Sequence, residues 1–298
     1  MPCPQFFAVL VFSSAISEHL VHPPLEKEIV EFQGKFYSVS GERLAYMRDK
    51  SQNEHFFILT LFAIAKELEY RGEMQTQNTI SLAVGLPLEH FGRQRESFRR
   101  YFLREDTIRF VYKDTALCIT IEDVSVFTQA HAAVAPIFNE IRQLSTAFII
   151  DIGGMTTDVL LLRNGRPDIK YCRSLEIGII TMNNNLIGKI NAQHDMMIDD
   201  AHILSVLQGK ESILPGDVRD TIHNAAKQHA QGTLDKLREL NIDLKVNPSI
   251  FIGGESILLR PYIEQSDKVA APRFMDDVKA NAIGYNLLME AKRRGGSA

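Results

Sequence analysis

The stretch "FIIDIGGMTTDVLLL", residues 148–162, limits the fold more than any other part of the chain. "AFII" is a nearly continuous apolar run, as a central strand covered on both faces requires. Asp151 ends it. Gly153 and Gly154 then permit a tight turn in which backbone can approach a ligand closely and N–H groups can form an anion-binding concavity. Thr156 and Thr157 add hydroxyls, and "DVLLL" resumes as the returning strand. Such a turn suits a phosphate with its magnesium ion: amides hold the oxygens and Asp151 binds the hard cation, directly or through water. A plain hairpin, with glycines that serve only the turn and a solvated acid, fits the same letters. A second glycine pair supports the first reading. In "FIGGESILLRPYI" (251–263) an apolar strand ends in Gly253 and Gly254, and a helix follows with Glu255 and Ser256 in its first turn. Helix N-termini attract phosphates. Two strand–glycine–glycine turns in one α/β half describe a nucleotide cleft approached from two sides.

The rest of the chain is organised as an α/β protein. Its 298 residues, 45% of them hydrophobic, suffice for two domains with their own cores. With 33 basic and 37 acidic residues, a net charge of −4 and no long like-charge block, a general grip on nucleic acid or anionic membrane is not indicated. Cys3, Cys118 and Cys172 are odd in number and widely spaced, which fits reduced thiols in a cytoplasm. The nine histidines, His131 and His194 among them, show no metal-ligand spacing. "FFAVLVFSSAI" (6–16) is too short to span a bilayer and no Lys or Arg precedes Lys27, so it reads as a buried strand and not a secretion signal.

Hairpins are expected at "EIVEFQGKFYSV" around Gly34 and at "TIRFVYKDTALCITI" around Lys113-Asp114. Helices are expected over about 53–70, 88–103, 129–142 and 217–240, and a last one from near Met275. Val218, Ile222, Ala225, Leu234 and Leu237 mark the buried face of the long helix. Strands are expected at "SLAVGLP", "TAFIID" and "PSIFIGG". The domain junction is placed near residue 145, giving lobes 1–145 and 146–298, with the final helix (about 275–298) able to pack back on the first lobe.

These residues resemble a known family. "IIDIGGMTTDVLLLRNG" is similar to the second phosphate loop of the actin-like ATPases, and "FIGGESILL" to their adenosine motif. "SVFTQAHAAVAP" (125–136) resembles their connecting helix, "SLEIGIITMNNNL" (174–186) the segment after the phosphate loop, and "AVGLPLEHFG" (83–92) a strand and turn of bacterial plasmid-partition actins. The resemblance is strongest to the ParM-type segregation ATPases and covers about residues 80–295. It implies a two-lobed, ribonuclease H-like α/β fold with a nucleotide cleft, ATP or GTP with Mg2+ as ligands, and self-assembly into filaments. It also implies movement of plasmid DNA through a DNA-bound adaptor protein, without direct contact to nucleic acid or membrane. By the same resemblance Asp151 organises the magnesium, Gly153, Gly154, Thr156 and Thr157 hold phosphate oxygens, and Gln129 orients the attacking water. Gly178, Gly253 and Gly254 line ribose and base, Glu255 borders them, and Asp158 supports the loop.

One departure bears on activity. The family opens with a phosphate loop built on Asp and Gly, whereas here no glycine precedes Gly34 and no aspartate precedes Asp49. "VFSSAIS" (11–17) resembles the segment that follows the family's first hairpin, as though the opening strands were missing; alternatively "FFAVLVF" replaces the first strand without its loop. Two other functions compete with a filament ATPase: a small-molecule enzyme of the sugar-kinase or hydantoinase type, and a scaffold that keeps the fold without catalysis.

Overall fold

The computed structural model describes residues 5–8, 14–19, 28–43, 49–74, 77–104 and 107–295. The chain divides into two compact units, residues 1–132 with 281–298, and residues 133–280. The first division therefore falls after Ala132, where the order of expected elements places a junction near residue 145. The apolar "AHAAVAPIF" that leads up to it belongs mostly to the second unit.

In the first unit the strands are Gln5–Ala8 (β1), Ser14–His19 (β2), Ile29–Phe32 (β3) and Lys35–Arg43 (β4). Helix His55–Arg71 (α1), strand Asn78–Leu86 (β5), helix Leu88–Phe102 (α2) and strands Ile108–Tyr112 (β6) and Thr115–Thr128 (β7) follow. They form one seven-stranded sheet in the order β1-β5-β7-β6-β3-β4-β2. β5 lies parallel between β1 and the second half of β7, and is buried over nearly its whole length as a central parallel strand must be. The two expected hairpins form. Their turns place Gln33-Gly34 and Lys113-Asp114 at positive φ, the requirement of a two-residue turn matched to strand twist. Of the amino-terminal "FFAVLVF", β1 covers the first residues, and 9–13 lie outside the described residues. α1 is buried all round its first turns, where Phe57, Ile58, Leu61 and Phe62 meet β5, β6 and β7 residues in one core. The Tyr101 hydroxyl receives the Phe57 amide at 2.7 Å and donates to the Asn53 carbonyl at 2.7 Å, which fixes the start of that helix.

The second unit begins in a 3-10 helix, Ala132–Ile137, and one short α turn, Phe138–Ile141 (α3), where the sequence suggests a single helix over 129–142. Pro136 lacks the amide an α-helix needs there, and Gln129 to His131 form a separate turn. Strands Thr146–Ile152 (β8), Thr157–Arg163 (β9), Arg166–Pro167 (β10) and Arg173–Leu175 (β11) come next. Helices Ile179–His194 (α4), Asp200–Leu207 (α5) and Gly216–Glu239 (α6) precede strand Ser249–Ile252 (β12), helix Gly254–Glu264 (α7) and strand Pro272–Phe274 (β13). The sheet runs β10-β9-β8-β12-β13, with β8, β12 and β13 parallel. Phe148, Ile150, Val159, Leu161 and Phe251 on one face pack against Leu234, Leu237 and Leu259 of α6 and α7. On α6 the buried stripe is Val218, Ile222, Ala226, Ala230, Leu234 and Leu237; Ala225 sits at its edge, half-buried. The final helix, Ala280–Arg293 (α8), starts five residues later than Met275, and all but its first residue belong to the first unit. Asp277 accounts for the delay, since its carboxylate accepts the Lys279 amide in a turn that precedes the helix.

Candidate functional site

The two glycine turns lie side by side at the carboxyl ends of neighbouring parallel strands. β8 and β12 pair in a register that sets Ile252 beside Asp151, so both chains leave the sheet at one level. Open α/β sheets bind ligands at this end of their strands. Gly253, at φ 92°, passes so close that a Cβ there would stand 2.4 Å from the Ile152 carbonyl oxygen and 2.7 Å from Asp151 Oδ1. Only glycine lets this backbone lie against the carboxylate. Beyond it Gly254 opens α7, with Glu255 in the first turn and the Ser256 hydroxyl donating to the Gly253 carbonyl at 2.7 Å. An acid at that position faces the positive end of the helix dipole.

The β8–β9 turn is held from beneath. The Gly153 amide donates to the Thr156 carbonyl at 2.8 Å and closes the turn. The carbonyls of Gly153 and Gly154 point the other way and receive the first amides of α4, Ile179 at 3.4 Å and Ile180 at 2.9 Å. With its carbonyls committed to α4, the turn presents the amides of Gly154, Met155 and Thr156, which have no protein partner among the described residues. Met155 is 40% exposed, and Gly153, Gly154 and Thr156 beside it are half-buried. Consecutive amides left without a protein partner are the groups from which an anion-binding concavity is built. Thr156 is half-buried at the rim. Thr157 is different: it is wholly buried and its hydroxyl donates to the Ile177 carbonyl at 2.6 Å. It braces the turn instead of facing a ligand, because it shares the inward face of β9 with Val159 and Leu161. Asp158, paired across the hairpin with Asp151, is half-buried.

Gly178 joins this turn to a cavity. A Cβ on Gly178 would fall 2.1 Å from the Gly154 carbonyl oxygen and 2.5 Å from the Met155 carbonyl carbon. The same residue lines a cavity of about 800 Å³ between α4 and α6, within the size range of small-molecule sites. Its walls mix apolar Ile177, Met182 and Leu186 with polar Asn185, Asn224 and Gln228. Lys189 and Lys236 add positive charge, and Lys236 is already bonded to Glu239 at 2.8 Å. His229 contributes an Nε2 atom that is buried without a hydrogen-bond partner, and burial holds its imidazole below the ordinary histidine pKa. The residue is therefore neutral at pH 7 and can either donate or accept.

Of the residues singled out in the sequence, Asp151, Gly153, Gly154, Thr156, Gly178, Gly253, Gly254 and Glu255 come together around these two turns in the second unit. Gln129 stands in the first unit, directly after β7. The α4 and α6 residues around the cavity are additions that the sequence did not single out. Their signal was a polar set at helical spacing on each helix, Thr181-Asn185-Lys189 and Thr221-Asn224-Gln228. Among the described residues no group of three or more His, Cys, Asp or Glu could hold a metal, and no helix is long and apolar enough to cross a membrane.

Comparison with known proteins gives two family profiles. One, described as "Actin like proteins N terminal domain", matches residues 12–131, and the other, "Archaeal actin homologue MreB-like, C-terminal", matches residues 149–265. A search of curated proteins finds no match. Among solved structures, an archaeal actin homolog in complex with ADP is 18% identical, with 95% of this chain and 92% of that chain covered at a TM-score of 0.69. A 15-stranded ParM filament from Clostridium botulinum is 19% identical over 90% of this chain and 85% of that one, also at 0.69. The actin-like protein Alp7A is 15% identical over 90% and 83%, again at 0.69.

Proposed function

Because the chain belongs to the actin-like proteins, with an N-terminal and a C-terminal domain of that superfamily, we propose that it binds and hydrolyses ATP and that its nucleotide state governs assembly of its own copies into filaments. The observation that carries this reading is the pair of glycine turns side by side at the carboxyl ends of β8 and β12, with Gly178 packed against the first turn and lining the α4–α6 cavity. Phosphates suit the amides and the Thr156 hydroxyl. A nucleoside suits the cavity, whose polar groups can read a base and whose apolar walls can stack on it. Asp151 offers one hard oxygen ligand, as Mg2+ needs when nucleotide phosphates supply others. When bound, the ion offsets phosphate charge. GTP fits the same groups.

Gln129 is assigned the orientation of the attacking water, since phosphoryl transfer asks a protein for positioning and electrostatics and little covalent chemistry. The likeness to a ParM filament supports self-assembly as the output. The partner class that follows is a DNA-bound adaptor protein of a plasmid-partition system in the cytoplasm, with the actin-like chain itself touching neither DNA nor membrane. Sedimentation with and without Mg-ATP, run beside a phosphate-release assay, tests the proposal. ATP-dependent pelleting with phosphate release supports it. Phosphate release without pelleting points to a small-molecule enzyme, and neither signal points to a scaffold.

A further inference from the structure

We propose that Asn281, on the returning helix α8, is a positioning residue that holds the Gln129 turn in its working shape. The inference rests on the role given above to Gln129. The turn itself is unusual. The Gln129 amide donates to the Leu86 carbonyl at 2.8 Å, which extends the β5–β7 ladder by one rung. Two residues later the His131 amide folds back to the Gln129 carbonyl at 2.6 Å and closes a three-residue γ-turn centred on Ala130. Ala130 has φ 60°, a conformation that costs an alanine energy and that persists only where its surroundings enforce it.

The enforcing contact comes from 151 residues away. Asn281 Oδ1 accepts the Ala130 amide at 3.0 Å. Ala130 is only 5% exposed, so without Asn281 this amide would lose its partner in a buried place. α8 is itself anchored at three levels to β7 and its exit. The Tyr285 ring stacks on Phe127 with centroids 6.1 Å apart, and Lys292 donates to the Ser125 hydroxyl at 3.0 Å. Gly284 lets the helix touch the backbone after the turn, since a Cβ there would lie 1.8 Å from the Ala132 carbonyl oxygen. The Asn281 carboxamide thus has a fixed place, and it bonds the strained residue of the turn directly. Strained backbone held by a distant side chain is a common device at functional sites. Here the residue it presents is Gln129.

The test uses the full chain and four variants: Asn281→Ala, Asn281→Asp, Asn281→Ala with Ala130→Gly, and Gln129→Ala. Amide exchange over 129–132, measured without nucleotide, should speed up by about tenfold or more in Asn281→Ala, as expected when a protecting bond is lost. ATP hydrolysis by that variant should lose about tenfold in kcat with KM nearly unchanged, the signature of a misplaced group and not of lost binding. Asn281→Asp keeps an acceptor and should stay near the unaltered chain. Glycine adopts φ near +60° without strain, so Ala130→Gly should recover much of the kcat lost in Asn281→Ala. Unchanged exchange in Asn281→Ala overturns the latch whatever hydrolysis does. So does unchanged kcat in Asn281→Ala where Gln129→Ala is impaired, and so does a general fall in melting temperature that Ala130→Gly leaves uncorrected. A Gln129→Ala variant as active as the unaltered chain instead sinks the water-positioning role on which this inference stands.

Discussion

Gly178→Ala isolates the seat of the proposed phosphate turn from every other variable. The backbone at Gly178 is extended, φ −117° and ψ 166°, so alanine meets no conformational penalty there. The effect is steric. The new methyl would stand 2.1 Å from the Gly154 carbonyl oxygen, 2.4 Å from its carbonyl carbon and 2.5 Å from the Met155 carbonyl carbon, all backbone atoms with no side-chain freedom to yield. Restoring ordinary contact requires the turn and the start of α4 to part by more than about 1 Å. The Ile180–Gly154 hydrogen bond, 2.9 Å in length, does not survive such a shift. Overpacking of this kind costs about 1–3 kcal/mol, which lowers the melting temperature of a unit this size by several degrees. Because the displaced residues carry the amides proposed to hold phosphate, Mg-ATP affinity should fall further than stability does, by about tenfold to a hundredfold. Gly188→Ala is the control: it lies inside α4 with open space around it, and alanine there should stabilise by up to about 1 kcal/mol. Thermal melts with and without Mg-ATP, paired with titration calorimetry, give both numbers. A Gly178→Ala protein with unaltered melting and unaltered ATP affinity would refute the assignment of the 153–157 turn as the phosphate seat.

Other substitutions separate the remaining roles. Gln129→Ala should slow hydrolysis by about 10² while nucleotide binding holds, whereas Asp151→Ala should weaken the magnesium-dependent part of binding; equal mild effects from both would indicate folding damage. Thr157→Val removes the hydroxyl that satisfies the Ile177 carbonyl and should cost about 1–3 kcal/mol in melting experiments, while Thr156→Val leaves melting alone and weakens ATP binding. If Thr157→Val melts like the unaltered chain, the bracing role is wrong. Acidification should also act through His229. Its folded pKa lies below the ordinary 6.5, so as pH falls through 6.5 the unfolded chain takes up a proton that the folded chain refuses. That contribution to stability is present above pH 6.5 and is lost below it. Melting at pH 7.5 and 5.5 should show the difference, and His229→Gln should shrink it.

Much of the fold was legible because local and global signals agree. The hairpins at Gln33-Gly34 and Lys113-Asp114 each contain one residue, Gly34 or Asp114, that tolerates positive φ between β-rich runs, and both turns form there. The apolar runs before Asp151 and Gly253 are central strands, and their glycines mark the places where backbone touches backbone. Thr157 shows a signal that was present but easily outweighed: strand alternation puts it on the same face as Val159 and Leu161, inward, while the expectation of a phosphate ligand puts it outward. The cavity was not legible from periodicity. Thr181, Asn185 and Lys189 on α4, like Thr221, Asn224 and Gln228 on α6, form polar helical faces that read as solvated surface. Only the packing of α4 beside α6 turns the two faces toward a common space. The misplaced helix at 129–142 has a comparable cause. An alanine-rich segment has high helix propensity, but Pro136 and the γ-turn at Ala130, held by Asn281 far along the chain, override it.

The most direct test of the account is an amide-exchange footprint of Mg-ATP on the whole chain. Protection is predicted in three separate segments of the second unit, the turn at 153–157, the start of α4 from Gly178 to Lys189, and the α6 stretch from Thr221 to Lys236. The outer face of the 166–172 segment should stay unchanged. Protection confined to other segments, or none at saturating Mg-ATP, would contradict the claim that the glycine turns and the α4–α6 cavity form one nucleotide site.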